Sequence, residues 1–274
     1  MIHSVQIPPI TPVVSTPSKK EGFQTLHQRT HRRPPSAKRS EGRPLKGIPL
    51  DRTWPVLSAL PLALTELEQD EVFPSLSANQ ISSYLDESIR FGRESAEGYA
   101  YDGNLTRWMD RMIHAGVRIR FADRKNGNHT EWVRAQYRRK PPSIYIYRFS
   151  LEQLKQFFHR SGYRVSENDL IALHLFHEWF HHLEYSRLGR TDLQLPKAVK
   201  KRWGPLTLKQ PLPRLREIAA HAFTQKAMDL PWFPLWLDHL LLLSEQGWSK
   251  TRIREHFHQI KNRYRQIMEP EERR

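Results

Sequence analysis

Of all the segments in this 274-residue chain, the run Leu170 to Leu188, LIALHLFHEWFHHLEYSRL, most narrows the folds available to it. Leu175, Phe176, Trp179, Phe180 and Leu183 recur at helical spacing, and Glu178 is the only Asp, Glu, Lys or Arg between Leu170 and Leu183. A helix of this kind lies in a core with its apolar stripe against neighbours. On it, His177-Glu178-Trp179-Phe180-His181 spells H-E-x-x-H. Residues four apart share a helix face, about 6 Å apart along the axis. Two imidazoles so placed can converge on one zinc ion at roughly 2.0–2.1 Å each. Glu178 lies about 100° round the helix from His177, oblique for a third bond to the metal but suited to a water beside it. A carboxylate there can take that water's proton and pass it to a leaving amine. The competing explanation is a packed helix with incidental histidines.

A structural zinc site is closed by four protein ligands, whereas a catalytic one has three and an open position. A third ligand is therefore required. The metzincin pattern needs Gly and then His at positions held here by Glu184 and Arg187, so that class is excluded. Asp192 stands one loop beyond the helix as an aspartate-type possibility. Glu184 lies about 10 Å along the axis from His177 and is a poor co-ligand. The best candidate is Glu217, in Arg216-Glu217-Ile218-Ala219-Ala220-His221-Ala222-Phe223. Pro211 and Pro213 mark a helix start, and Leu215, Ile218, Ala219, Ala222 and Phe223 form its apolar face. The alanines are expected to allow close packing on the H-E-x-x-H helix, so Glu217 can enter from a direction the first helix cannot supply. Its bland alternative is a solvated first-turn Glu favoured by the helix dipole. One turn on, His221 is a candidate to orient a ligand or donate to an oxyanion, or else a packed histidine. His174, about 10 Å from His181 along the axis, reads as cleft-lining, and His182 points off the ligand face.

H-E-x-x-H followed some tens of residues later by E-x-x-A-x-x-F, here Glu217, Ala220 and Phe223, resembles the gluzincin zinc metallopeptidases. With three short strands before the site, the chain is most similar to the minimal ImmA/IrrE-type domain over roughly residues 116 to 230. The resemblance implies Zn2+ held by His177, His181 and Glu217, with Glu178 as general base for peptide-bond hydrolysis. It also implies a sheet whose edge strand borders the cleft and can pair with an extended peptide. Two departures stand out. Trp179 and Phe180 are both bulky where such proteins often have one small residue, and no companion repressor-like DNA-binding domain is evident. The substrate is therefore not carried over.

With no cysteine, any zinc must use His and carboxylate. No apolar run reaches about 18 residues, so no transmembrane helix is expected. The N-terminus lacks a basic start followed by an apolar core, so it is not read as a secretory signal, and the cytoplasm is the expected compartment. The formal net charge is +15. Ten Lys/Arg against three Asp/Glu fall between Met1 and Arg52, a balance of +7. This segment is rich in Pro, Ser and Thr and cannot bury enough surface to offset its ordering entropy. It reads as a disordered basic arm, able to hold an anionic partner such as nucleic acid or serving only to solubilise.

Asp51 to Pro74 reads as a mixed linker that docks through Trp54, Leu57, Leu60 and Leu62. Helices are expected from Ser77 to about Ser95 and from Asn104, as cap, to His114. The period then changes to two: Gly116–Phe121, Glu131–Tyr137 and Ser143–Arg148 read as strands, with turn chemistry at 124–128. Ser150–Ser161 is a short helix, and Thr191–Pro213 is loop-like, its basic run Lys197–Arg202 a candidate cleft wall or a solvated loop. Leu235–Ser244 and Ser249–Met268 are helical. The segment LSEQGWSKTRIR (243–254) has the look of a helix-turn-helix start, although a helix covering the core explains it better.

These readings combine into an α+β fold: a mostly helical, metallopeptidase-like domain over residues 77–268 with a small three-stranded antiparallel sheet before the active-site helix. The basic arm (1–52), a linker (53–76) and a tail (269–274) flank it. The expected function is that of a zinc metallopeptidase acting on a protein or peptide. The rivals are a catalytically silent zincin-fold regulator that binds a protein partner, and a nucleic-acid-associated protein that uses its basic arm.

Overall fold

The computed structural model describes residues 42–123, 134–204 and 206–269. Residues 1–41 of the expected arm, the turn at 124–128, the start of the second strand and residues 270–274 lie outside the described residues. In chain order the elements are α1 (Ala59–Leu67), α2 (Ala78–Ser95), α3 (Leu105–His114), β1 (Arg118–Ala122), β2 (Ala135–Arg138), β3 (Ser143–Tyr147), α4 (Arg148–Arg160), α5 (Glu167–Leu183), α6 (Thr191–Gln194), β4 (Ala198–Trp203), β5 (Leu206–Gln210), α7 (Arg214–Ala227), α8 (Pro234–Glu245) and α9 (Lys250–Met268). The α+β class expected from the sequence is the one observed. No helix among the described residues is long and apolar enough to cross a membrane.

At the centre α5 lies against α7, and α7 lies against α2. Small residues set the second contact: a Cβ on Gly92 would fall 2.2 Å from the Ala219 carbonyl oxygen and 2.9 Å from the Ala222 Cβ. Phe180 of α5 meets Phe223 of α7 at 5.4 Å between ring centroids, and Phe176 meets Trp108 of α3 at 5.0 Å. Burying each such ring contributes about 1.5–3 kcal/mol, so this cluster fixes how the two central helices face each other. Helix starts follow local chemistry. The Ser77 hydroxyl and the Gln80 side chain form a capping box on α2, the Asn104 side chain accepts from the Arg107 amide, and the Ser249 hydroxyl accepts from the Arg252 amide.

The sheet corrects the expectation of three antiparallel strands. Its order is β1-β3-β2, with β2 antiparallel and β1 parallel to β3. The short 139–142 connection constrains β2 and β3 to a hairpin, whereas β1 and β3 are separated by 20 residues, 123–142, enough for parallel neighbours. The central place goes to β3, whose Ile144 and Ile146 are fully buried.

Three other boundaries also shift. Residues 42–52 are not part of a disordered arm: Leu45, Ile48 and Leu50 are buried, and the Leu45 amide donates to Asp169 Oδ2 at 2.7 Å. Those three leucine and isoleucine side chains are enough to anchor a segment that its prolines and lysines make look unstructured. The expected linker docks through Leu57 and Leu62, but it also contains α1, with Leu62, Leu64 and Leu67 in the core. Pro61 disguises it, because proline is tolerated in a first helical turn, where its missing N–H costs nothing. The stretch 191–213 is not a loop but α6 followed by the β4–β5 hairpin. At the C-terminus α9 buries Ile253, Phe257 and Ile260, so it covers the core as expected.

Candidate metal centre

α5 and α7 bring together the three side chains singled out from the sequence. His177 Nε2 lies 3.3 Å from Glu217 Oε2, and His181 Nε2 lies 3.5 Å from Glu217 Oε1. One ligand atom from each of the three falls within 4.8 Å of the others. In a tetrahedral zinc site with His and carboxylate bonds of roughly 2.0–2.2 Å, neighbouring ligand atoms are about 3.3–3.6 Å apart. Two imidazole nitrogens and one carboxylate suit such an ion in chemistry, and the two His–Glu separations suit its spacing. Burial opposes ionisation of Glu217, yet the facing His181 and His177 hold its carboxyl well below the usual range. For His181 burial works downwards, but Glu217 and Glu184 outweigh it and raise the pKa to about 10.

The way His181 is held was not anticipated. Beyond Leu183, α5 loosens into a π-helical turn over Glu184–Leu188, ended by Gly189 at φ +79°. That turn buries Glu184, whose Oε2 sits 3.0 Å from His181 Nδ1 and accepts from Arg216 Nε and Nη2 at 2.9 and 2.8 Å. Its Oε1 accepts from the Thr191 amide and hydroxyl at 2.9 and 2.8 Å. Glu184 is thus no ligand, as expected, but it fixes the imidazole so that Nε2 faces Glu217. The signal was present at the i, i+3 spacing from His181. Asp192, the other possible third ligand, is elsewhere: it is buried and receives Arg190 Nε at 3.0 Å.

Glu178, between the two histidines in sequence, is buried. The Tyr137 amide donates to its Oε2 at 2.7 Å, so the free edge of β2 faces the cleft. Burial raises the Glu178 carboxyl above its ordinary pKa, against the pull of His177 and His181. His221, the second residue expected to act in catalysis, has its ring centroid 4.7 Å from that of His177. Its Nδ1 is buried without a hydrogen-bond partner among the described residues, and its Nε2 lies 3.8 Å from Asp238 Oδ2. Burial, then the neighbouring His177, holds it neutral. His182 packs on Trp179, ring centroids 4.8 Å apart, with Nδ1 3.1 Å from the Tyr137 hydroxyl.

Two cavities flank the triad and share His177, Glu178, Glu217 and Ala135. The larger, about 530 Å³, is lined also by Leu173, His174, His221 and Leu235, with an Arg134–Asp238 ion pair in its wall. The smaller, about 290 Å³, is lined by Gln136, Tyr137, Tyr185 and Arg216. His174 is therefore cleft-lining, as expected, and burial lowers its pKa to about 3. Arg134, Asp238 and Glu66 in this wall were not singled out from the sequence, because each comes from a different, distant element. Among the described residues, none of 197–201 in the basic run lines either cavity; Lys200 instead pairs with Glu71 at 3.4 Å. No family model matches this chain, and no curated protein or solved structure matches it.

Proposed function

We propose that this chain is a gluzincin-like zinc metallopeptidase that hydrolyses a peptide bond in a protein or peptide. The observation that carries the reading is the approach of Glu217 on α7 to both imidazoles of the H-E-x-x-H helix at 3.3 and 3.5 Å. His177, His181 and Glu217 would hold the ion. When bound, zinc supplies Lewis acidity towards a water and a scissile carbonyl. Glu178, oriented by the Tyr137 amide and with its pKa raised by burial, accepts the water's proton and returns it to the leaving amine. His221, held neutral by burial and lining the larger cavity, donates to the developing oxyanion. The free edge of β2 offers backbone groups to an extended peptide, which the two cavities flank.

The test is elemental analysis of purified protein before and after chelation, paired with mass-spectrometric detection of cleavage in a peptide pool. About one zinc per chain, with cleavage lost on chelation and restored by zinc, is expected. A protein that carries no metal after zinc addition, or that cleaves equally well after chelation, overturns the proposal.

A further inference from the structure

The solvent face of the three-stranded sheet carries a feature that the cleft does not use. Side chains alternate across a strand, and the register sets Ile119, Ile144 and Tyr137 in one inward row and Phe121, Ile146 and Ala135 in the next. All six belong to the core or pack against it. The opposite face therefore carries Arg118, Ser143 and Arg138, then Arg120, Tyr145 and Gln136, then Ala122 and Tyr147, of which Ser143 and Tyr147 are buried. Arg118, Arg120 and Arg138 are exposed, as are Arg139 and Lys140, which follow β2. The Arg120 and Arg138 guanidiniums lie 5.9 and 4.6 Å from the centroid of the Tyr145 ring. Among the described residues no carboxylate pairs with Arg118, Arg120, Arg138 or Arg139; the nearby Asp123 instead faces Arg148 at 3.4 Å.

Arg118 and Arg138 stand two strand spacings apart, about 10 Å, while Arg118 and Arg120 are about 6.6 Å apart along β1. Such a cluster gains when an anion neutralises it. An aromatic ring and guanidinium planes at its centre add flat surfaces on which bases can stack. An acidic peptide would match the charges but leave those planes unused. We propose that this face binds single-stranded nucleic acid, with phosphates on Arg118, Arg120 and Arg138 and a base stacked at Tyr145. Arg118, Arg120, Arg138 and Tyr145 line neither of the cavities beside the triad.

The experiment uses the full chain and a labelled oligothymidylate of about 20 nucleotides, long enough for one such site, with binding read by fluorescence anisotropy across a salt series. Each single-strand phosphate contact contributes about −0.7 to the slope of log affinity against log salt. The combined Arg118→Ala, Arg120→Ala and Arg138→Ala variant is expected to bind at least about tenfold more weakly, its slope shallower by about 2. Tyr145→Leu is expected to weaken binding about threefold or more with the slope unchanged, while Tyr145→Phe retains binding. Residues 1–41 are present in every variant, so their contribution cancels in the comparison. Unaltered melting temperature and zinc uptake show that each variant is folded. Wild-type affinity and slope in the triple variant overturn the proposal, as does failure of the wild type to bind. Equal binding of polyglutamate, with Tyr145→Leu indifferent, overturns it in favour of an acidic protein partner.

Discussion

His181 Nδ1 and Glu184 Oε2 meet at 3.0 Å, and this contact decides which face of the imidazole is offered to a metal. A carboxylate that accepts the Nδ1 proton fixes the tautomer and leaves the Nε2 lone pair free. Glu184 can do so reliably because four further donor contacts, from Arg216 and Thr191, hold it in place.

Glu184→Ala should therefore weaken zinc binding by about 10–100-fold without removing any of the three ligands. Competition with a chromophoric chelator measures this directly. Zinc affinity equal to that of the parent would mean that His181 needs no such support.

Glu178 and His181 separate chemistry from metal retention. Glu178→Gln should keep stoichiometric zinc while hydrolysis falls by about 10²–10⁴-fold, the usual contribution of a positioned base. His181→Ala should lose both. Full activity in the Glu178 variant would remove it from the mechanism.

At the α2–α7 contact, Gly92→Ala places a Cβ 2.2 Å from the Ala219 carbonyl oxygen. Backbone must move to admit it, and overpacking of this kind costs about 1–3 kcal/mol or more. Gly47, where an added Cβ meets nothing within 4 Å, is the control. The midpoint of urea unfolding should fall clearly for Gly92→Ala and hardly for Gly47→Ala.

Acid should destabilise the fold through two buried histidines. Burial lowers the pKa of His239 to about 4 and that of His174 to about 3. The unfolded chain takes up protons below about pH 6.5 while these folded groups stay neutral. Their contribution is thus fully present above about pH 6.5 and is lost as pH falls towards the folded values, by at most about 1.4 kcal/mol per pH unit for each group. Urea unfolding at pH 7, 6 and 5 checks the slope, and His239→Gln should make it shallower. A slope unchanged by that substitution would exclude His239 as a source.

Within the chain, spacing alone determined the parts that depend on neighbours a few residues apart. The period of 3.6 placed α5, and the i, i+4 rule put His177 and His181 on one face. Ser77, Asn104 and Ser249 marked helix starts because an N-cap bonds only to its own first turn. Even Glu217 was legible as a candidate, from the helix start at Pro211 and Pro213, although Ala219 and Ala222, expected to pack on the H-E-x-x-H helix, meet Gly92 of α2 instead. What tertiary structure decided was every relation between distant segments. The 3.3 and 3.5 Å approaches of Glu217, the parallel pairing of β1 with β3, and the Arg216–Glu184 support of His181 each join elements whose separation in sequence carries no periodic signal. Residues 42–52 and α1 fell on the same side of that divide: their order comes from burial against Asp169 and the core, and burial is a property of the surroundings a segment finds.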